Sequence, residues 1–380
     1  MPIKRRNRYD AAFYVPHVGQ LIAARQEVLP TGGAETQVLL MAKELARRGL
    51  KIAVIVFDVP GGLPDSVDGV DIVIRRPYAG GRKGVGRLKK LIGAVTEVLT
   101  VIWVGFRFPA ETIIQRVSSI NTGLIAVGAK LGRRRFVWAS ANTVDFEIDA
   151  LHGSRAQGAV FRTGVKLADD IVVQTKEQIE MCISSYGRTP TQIFSISEPA
   201  EPAPLDRGPF LWIGRLVNAK QPLAFLEIAE ANPDLPFAMI GVPVEGADQN
   251  LISAVQAKGH ALANVELLDP QPRDRVMQLI ASATAVVNTS LHEGMPNVFL
   301  EGWARGVPAV SLHHDPDGVI TSEGLGFFAS GNPSVFGDAC RRLMTDRPLR
   351  EELSDRCRMY IKRTHSPQAV GDQWRSVIGD

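Results

Sequence analysis

The chain has 380 residues, 45% of them apolar and 22% charged, with a net charge of +3. That length exceeds one ordinary domain, and that balance belongs to a folded globular protein, which excludes extended disorder and low complexity. The three cysteines, Cys182, Cys340 and Cys357, are scattered and come without a CxxC pair or a His/Cys cluster. They exclude a disulfide framework and predict free thiols in a reducing cytoplasm.

Taken in chain order, the basic opening MPIKRRNRYD precedes an apolar run of only Ala11 to Val15. That run is too short for a secretory h-region and predicts a first strand. Further strands are predicted at 51–57, 70–75, 111–117, 135–141 and 170–174, with helices between them, clearest at 34–48 and 86–104. The apolar run Leu91 to Phe106 is too short to span a bilayer and carries Glu97. The segment SEPAEPAPLDRGP (197–209), with four prolines, reads as a linker. After it the alternation restarts, with strands at 210–214, 236–241, 264–268, 284–288 and 308–312 and helices at 221–231, 272–282, 296–305 and 334–362. Nearly continuous apolar strands alternating with helices predict doubly wound parallel sheets. The predicted organisation is a domain over 1–200, a second over 201–365 and a C-terminal helix over 366–380 that can pack back on the first. Two such domains usually leave a ligand cleft.

Residues 1–200 hold 27 basic and 18 acidic side chains, a balance of +9, whereas 201–380 balance to −6. The basic half could face anionic lipid, nucleic acid or an acidic acceptor.

Three segments could carry chemistry. In HEGMPNVFLEGWARGVPAV (292–310), a turn through Glu293, Gly294 and Met295 leads to Pro296 and Asn297 at a helix start. The free N–H groups and dipole there suit a phosphate or a sugar hydroxyl. Glu293 lies in the loop and Glu301 one or two turns into the helix, where they can reach two parts of one ligand. The plainer alternative pairs Glu301 with Arg305 at i,i+4 and leaves Glu293 a solvated loop acid. In FLWIGRLVNAKQP (210–222), Arg215 ends a strand and Lys220 sits at a helix start, where a cation is misplaced unless it meets an anion. A diphosphate would answer that conflict; the alternative is two solvated cations. In LPTGGAETQVLLMAKELARRG (29–49), Gly32 and Gly33 precede an amphipathic helix and permit close approach to a ligand, but the pattern is not the dinucleotide fingerprint.

Together, the paired glutamates at 293 and 301 with seven residues between them, GGAE (32–35), ADDIVVQT (168–175) and the GRL…K of 214–220 resemble the family 4 retaining glycosyltransferases of GT-B fold. The resemblance implies two Rossmann-like domains facing a cleft, and transfer from a nucleoside diphosphate sugar to an acceptor hydroxyl in glycan or glycolipid assembly. By that resemblance Glu301 binds the ribose, Glu293 lies by the donor sugar as the catalytic residue, and Gly294, Met295, Pro296 and Asn297 contact sugar and phosphate. Arg215 and Lys220 would hold the diphosphate, with Gly33 approaching from the first domain. No metal and no separate cofactor are expected.

The sequence departs from that family in its first domain. VWASANTVD (137–145) holds Ser140 and Asn142 where many members carry a His, QRVSS (115–119) replaces a His-containing strand end, and FSISEPA stands where IPNGV is usual. Ser140, Asn142 and His17 are therefore the acceptor-side candidates, with His17 equally readable as a surface loop residue. A nucleotide-sugar epimerase of GT-B fold and a non-catalytic sugar-nucleotide binder remain the alternatives. Asp315-Pro316-Asp317 imitates a metal-binding DxD but reads as a turn. Residues 80–106 place Arg82, Lys83, Arg87, Lys89 and Lys90 before an apolar helix. That is either an amphipathic segment for an anionic inner-membrane surface or a core helix with a solvated end. The partners expected are a nucleotide-sugar donor, a glycan or lipid-linked acceptor and such a membrane surface, without nucleic acid.

Overall fold

The computed structural model describes residues 9–23, 33–76, 87–116, 118–147, 154–204, 208–244, 246 and 248–379. They form two units. One gathers the described residues of Met1–Ala23, Thr31–Phe194 and Val370–Asp380, the other those of Ser195–Ala369.

In the first unit the elements run β1 (Tyr9–Tyr14), α1 (Val18–Ala23), α2 (Gly33–Arg47), β2 (Ile52–Phe57), β3 (Ser66–Val67), β4 (Val70–Arg75), α3 (Arg87–Arg107), β5 (Ala110–Arg116), α4 (Ile120–Leu131), β6 (Arg135–Ala139), α5 (Arg155–Leu167), β7 (Asp170–Val173), α6 (Lys176–Tyr186) and β8 (Thr191–Gln192). The sheet order is β3-β4-β2-β1-β5-β6-β7-β8, parallel except for the β3–β4 pair. Strand β2, IAVIVF, has its first five residues buried, which is why it reads as a continuous rather than an alternating apolar run.

The second unit continues with β9 (Phe210–Arg215), α7 (Pro222–Ala231), β10 (Phe237–Val242), α8 (Gln249–Ala261), β11 (Val265–Leu268), α9 (Arg273–Ser282), β12 (Ala285–Asn288), α10 (Asn297–Ala304), β13 (Ala309–Ser311), α11 (Val319–Ser322), β14 (Gly326–Phe328), α12 (Pro333–Thr345), α13 (Arg347–Tyr360) and α14 (Pro367–Ile378), the last reaching into the first unit from Val370 on. Its wholly parallel sheet has the order β11-β10-β9-β12-β13-β14. Both sheets reverse direction of growth at an inner strand pair, β1/β5 and β9/β12, and the loops leaving the carboxyl ends of such pairs are where doubly wound folds bind ligands.

The structure corrects the sequence reading in three places. The unit change falls between Phe194 and Ser195, ahead of the proline-rich stretch, because that stretch is tied to the second unit. Ser197 N–H donates to His365 O and Ala203 N–H to Arg305 O, and the buried His365 meets Ser195 O through Nδ1 at 2.6 Å. Burial pushes the His365 imidazole down to about 4, so at neutral pH its Nδ1–H is the donor of that contact and Nε2 can accept from Tyr360 Oη, 3.3 Å away. Second, the helix predicted over 334–362 is two helices, α12 and α13. Pro348 has no N–H to continue the ladder. Asp346 caps the restart by accepting from Leu349 N–H at 3.0 Å, and Arg350 Nη1 donates to Leu343 O at 2.7 Å. Third, β3, β8 and β14 are too short to carry a period and were not predicted.

Helix α4 lies between α3 and α5 at backbone contact. A Cβ added at Gly123 would stand 2.0 Å from Val160 O, and one at Gly128 2.0 Å from Ile102 O. Gly105 and Gly164 complete the crossings from the α3 and α5 sides. Gly to Ala in an exposed helix gains about 1 kcal/mol; here the sign should reverse. Gly123→Ala is expected to lose about 1–3 kcal/mol through overpacking, read as a lower thermal midpoint. An unchanged or raised midpoint would show that the helices can part at no cost.

Candidate functional site

In the second unit the site grows from two loops stitched together at the carboxyl ends of β9 and β12. Trp212 on β9 donates its indole N–H to Thr289 Oγ1 at 3.0 Å. The Thr289 hydroxyl lies 2.9 Å from Lys220 O and 3.0 Å from Gln221 O, to which it donates. Leu291 N–H donates to Ala219 O, and Asn288 Oδ1 accepts from Ser290 N–H at 2.9 Å. A short 3₁₀ turn, Asn218–Lys220, then carries the chain to Gln221, which has φ +49° and precedes Pro222 at the start of α7.

This stitching brings Lys220 onto the buried carboxylate of Glu293 as a hydrogen-bonded ion pair. Burial alone would push the Glu293 carboxyl up. The Lys220 charge and hydrogen bond, with help from Ser290 and His314, outweigh it and hold the carboxyl below its usual range. The neighbouring His314 Nε2 lies 3.1 Å from Gly294 O. The misplaced cation read at the helix start thus has its anion within the chain, and Glu293 is no solvated loop acid.

Gly294, Met295 and Pro296 are buried behind Glu293, and α10 begins one residue later than expected, at Asn297, with Pro296 as its cap. Pro296 O accepts from Phe299 N–H and Leu300 N–H. The Glu301 carboxylate pairs with Arg273 at 2.6 Å. Arg305 turns instead to the Glu301 backbone carbonyl, 2.9 Å away, so in place of the alternative i,i+4 ion pair the fold has a helix-end hydrogen bond. Arg215 ends β9 exposed to solvent. Asp315 uses Oδ1 on Ile320 N–H and Oδ2 on Thr321 N–H and Oγ1. The DPD segment therefore caps the start of α11, as a turn should.

In the first unit His17 is exposed after β1, edge-on to Phe57 at 5.7 Å. Gly33 opens α2, exposed; Gly32 lies outside the described residues, as do Arg82 and Lys83. Ser140 is buried and its hydroxyl meets Gln178 Oε1 at 3.3 Å. It faces the fold, because β6 ends under α6, and offers an acceptor nothing. Asn142 is half-buried and accepts from Thr143 Oγ1 at 3.1 Å.

Sequence reasoning missed several residues. Arg273, in the first turn of α9, shows the same cation-at-helix-start conflict that singled out Lys220. Thr289 and Ser290 gave no signal beyond following a strand. Arg116 and Asp145 are both buried near one another, with Glu35 also felt by Arg116. Burial, only partly offset by the opposite charges, pushes the guanidinium down to about 10. It also pushes the Asp145 carboxyl up, against hydrogen bonds from Ala141 N–H and Asn142 N–H. The trace of Arg116 in the sequence was the unusual QRVSS at a strand end.

Residues 196–360 match the family model of glycosyl transferases group 1. The glycosyltransferase 1 domain-containing protein 1 of Xenopus tropicalis is 28% identical over 44% of this chain and 49% of its own length. The D-inositol 3-phosphate glycosyltransferase of Corynebacterium diphtheriae is 26% identical over 56% of each chain. The chain thus spans about half the length of the curated relatives it matches. Among solved structures, Anabaena HepE in complex with UDP and glucose superposes with a TM-score of 0.70 at 15% identity, covering 97% of this chain and 99% of that one. The second unit is thus similar to the group 1 glycosyl transferases over residues 196–360, and the chain has a GT-B fold of two Rossmann-like units.

Proposed function

We propose that the chain transfers a sugar from a nucleoside diphosphate sugar to an acceptor hydroxyl, with retention of anomeric configuration, in glycan or glycolipid assembly. The observation that carries this reading is the buried Lys220–Glu293 pair held at the entrance to α10, with Glu301 further along that helix. HepE, with UDP and glucose bound, supports a donor of that class. As the glycosidic bond breaks, charge develops on the leaving diphosphate. Arg215, Lys220 and the amino end of α10 would stabilise it as fixed positive groups. Glu301 takes the ribose hydroxyls, exchanging or sharing Arg273, while Glu293 and the backbone of Gly294 to Asn297 address the sugar. The second unit is the donor side, and His17 and Asn142 of the first unit serve the acceptor.

Calorimetry with UDP-, GDP-, ADP- and TDP-sugars, followed by product analysis with acceptor, tests the assignment as a whole. Glu301→Gln is expected to weaken donor binding on the order of tenfold, since it alters a carboxylate accepting two hydroxyls. Glu293→Gln should chiefly lower turnover, because an interaction that strengthens in the transition state appears in kcat. Normal binding in the first variant and normal turnover in the second would reject the roles.

With fixed cations serving the leaving group, transfer should persist in excess chelator. Complete loss, restored by a divalent metal, would show that a metal ion carries this charge instead.

The pair itself makes a stability prediction. Glu293 has a depressed folded pKa, so its contribution is present above the usual carboxylate range and is lost as pH falls through the folded value. Lys220→Ala leaves a buried carboxylate uncompensated and should destabilise the fold by about 3 kcal/mol at pH 7. The deficit should shrink toward acid pH, where the carboxyl is protonated in both proteins. Denaturant melts across pH check it; a deficit independent of pH would mean that the pair contributes packing alone.

A further inference from the structure

Helix α3 buries only part of its apolar surface. Its inner face packs through Val101, Val104 and the Gly105 crossing onto α4. Its outer face presents Leu91, Ile92, Val95, Leu99, Trp103 and Phe106, each between 39% and 62% exposed. Those positions recur at intervals of three and four, so they form one continuous stripe along the helix. Leu131, at the end of the neighbouring α4, is exposed too, and Arg134 just beyond it donates to Phe106 O and Ala110 O. The stripe therefore continues across the end of α4. Monomeric soluble proteins rarely leave so long an apolar patch to water.

Charge selects what covers it. Lys89 near the start of the helix and Arg107 at its end are both exposed, with Arg133 exposed beyond Leu131. The one acid of the helix, Glu97, is turned inward onto the buried Arg75. The outer face is thus apolar along its length and basic at both ends. A second copy of the chain would juxtapose basic ends whether the helices paired parallel or antiparallel, and like charges oppose such a pairing. No helix among the described residues is long and apolar enough to cross a membrane. From this combination we infer that the outer face of α3 docks on an anionic lipid bilayer, lying in the interface with its apolar stripe in the acyl boundary and its basic ends among the headgroups.

Tryptophan reports the contact directly. Trp138, Trp212, Trp303 and Trp374 are buried, so quenching by aqueous iodide reads Trp103. The full chain is mixed with vesicles of phosphatidylcholine alone or with phosphatidylglycerol added, and vesicle binding is measured by flotation. Flotation is expected with anionic vesicles only, with a blue shift and several-fold weaker iodide quenching of Trp103, and high salt should weaken it. The triple change Leu91→Gln, Leu99→Gln, Trp103→Gln and the double change Lys89→Glu, Arg107→Glu should each reduce partitioning by about tenfold or more. All five positions are exposed, and a thermal melt verifies folding. Equal binding to neutral vesicles, no binding to anionic ones, wild-type partitioning by either variant, or a dimer that the triple change dissociates would each overturn the proposal. None of these readouts depends on the proposed transfer activity.

Discussion

A carboxylate under protein cover is tolerated only where something answers its charge, and Glu293 is such a carboxylate. Lys220 answers it, but Lys220 comes from a different loop, 73 positions earlier in the chain. The pair can form only if the two loops are registered, and that register comes from Trp212, Thr289 and the Leu291–Ala219 backbone bond. A single interaction thus links the side-by-side placement of β9 and β12 to the geometry of the α10 entrance. Displacing either loop would leave a buried charge uncompensated, which costs more than any one neutral hydrogen bond.

Helix α10 receives a second tie of the same kind. Arg273 at the start of α9 reaches Glu301, so the two acids of the helix region are each met by a cation from the first turns of another segment. Both cations sit where a helix dipole disfavours them. Such positions are held by partner charge rather than by local preference. They are places where an anionic ligand can compete for, or share, a cation already fixed in direction. Because the cations are ordered before a ligand arrives, little side-chain entropy is lost on binding.

The alternation of elements was legible because each buried parallel strand is a short continuous apolar run between helical periods, and most predicted strands agree with the structure within one or two residues. What escaped was either too short for periodicity, as with β14, or decided by contacts distant in sequence. The proline-rich segment illustrates the second case. Its composition is that of a linker, yet His365 and Arg305, more than a hundred residues later, supply the hydrogen bonds that seat it. At the site, position was legible and partnership was not. Spacing placed Glu293, Glu301 and Lys220, but it left open a solvated acid and an Arg305 ion pair as the plainer alternative, where the fold provides Lys220 and Arg273. Ser140 was read at a strand end, and only the packing of α6 through Gln178 shows that it points inward.

The outward face of α3 is itself fixed by the interior. Arg75 is buried at the end of β4, with Tyr14 Oη 3.1 Å from its Nη1 and the Phe57 ring beneath it, and neither carries a negative charge. Glu97 supplies that charge. Rotating α3 by one residue, about 100°, would withdraw Glu97 from the guanidinium and turn Leu99 or Trp103 inward, improving the burial of the helix while stranding a buried cation. The crossing at Gly105 and Gly128 resists the same rotation, since the neighbours Val104 and Phe106 would present a Cβ where two backbones now touch. An ion pair and a glycine contact therefore override the hydrophobic preference of the helix. The apolar stripe remains outside because the core holds it there.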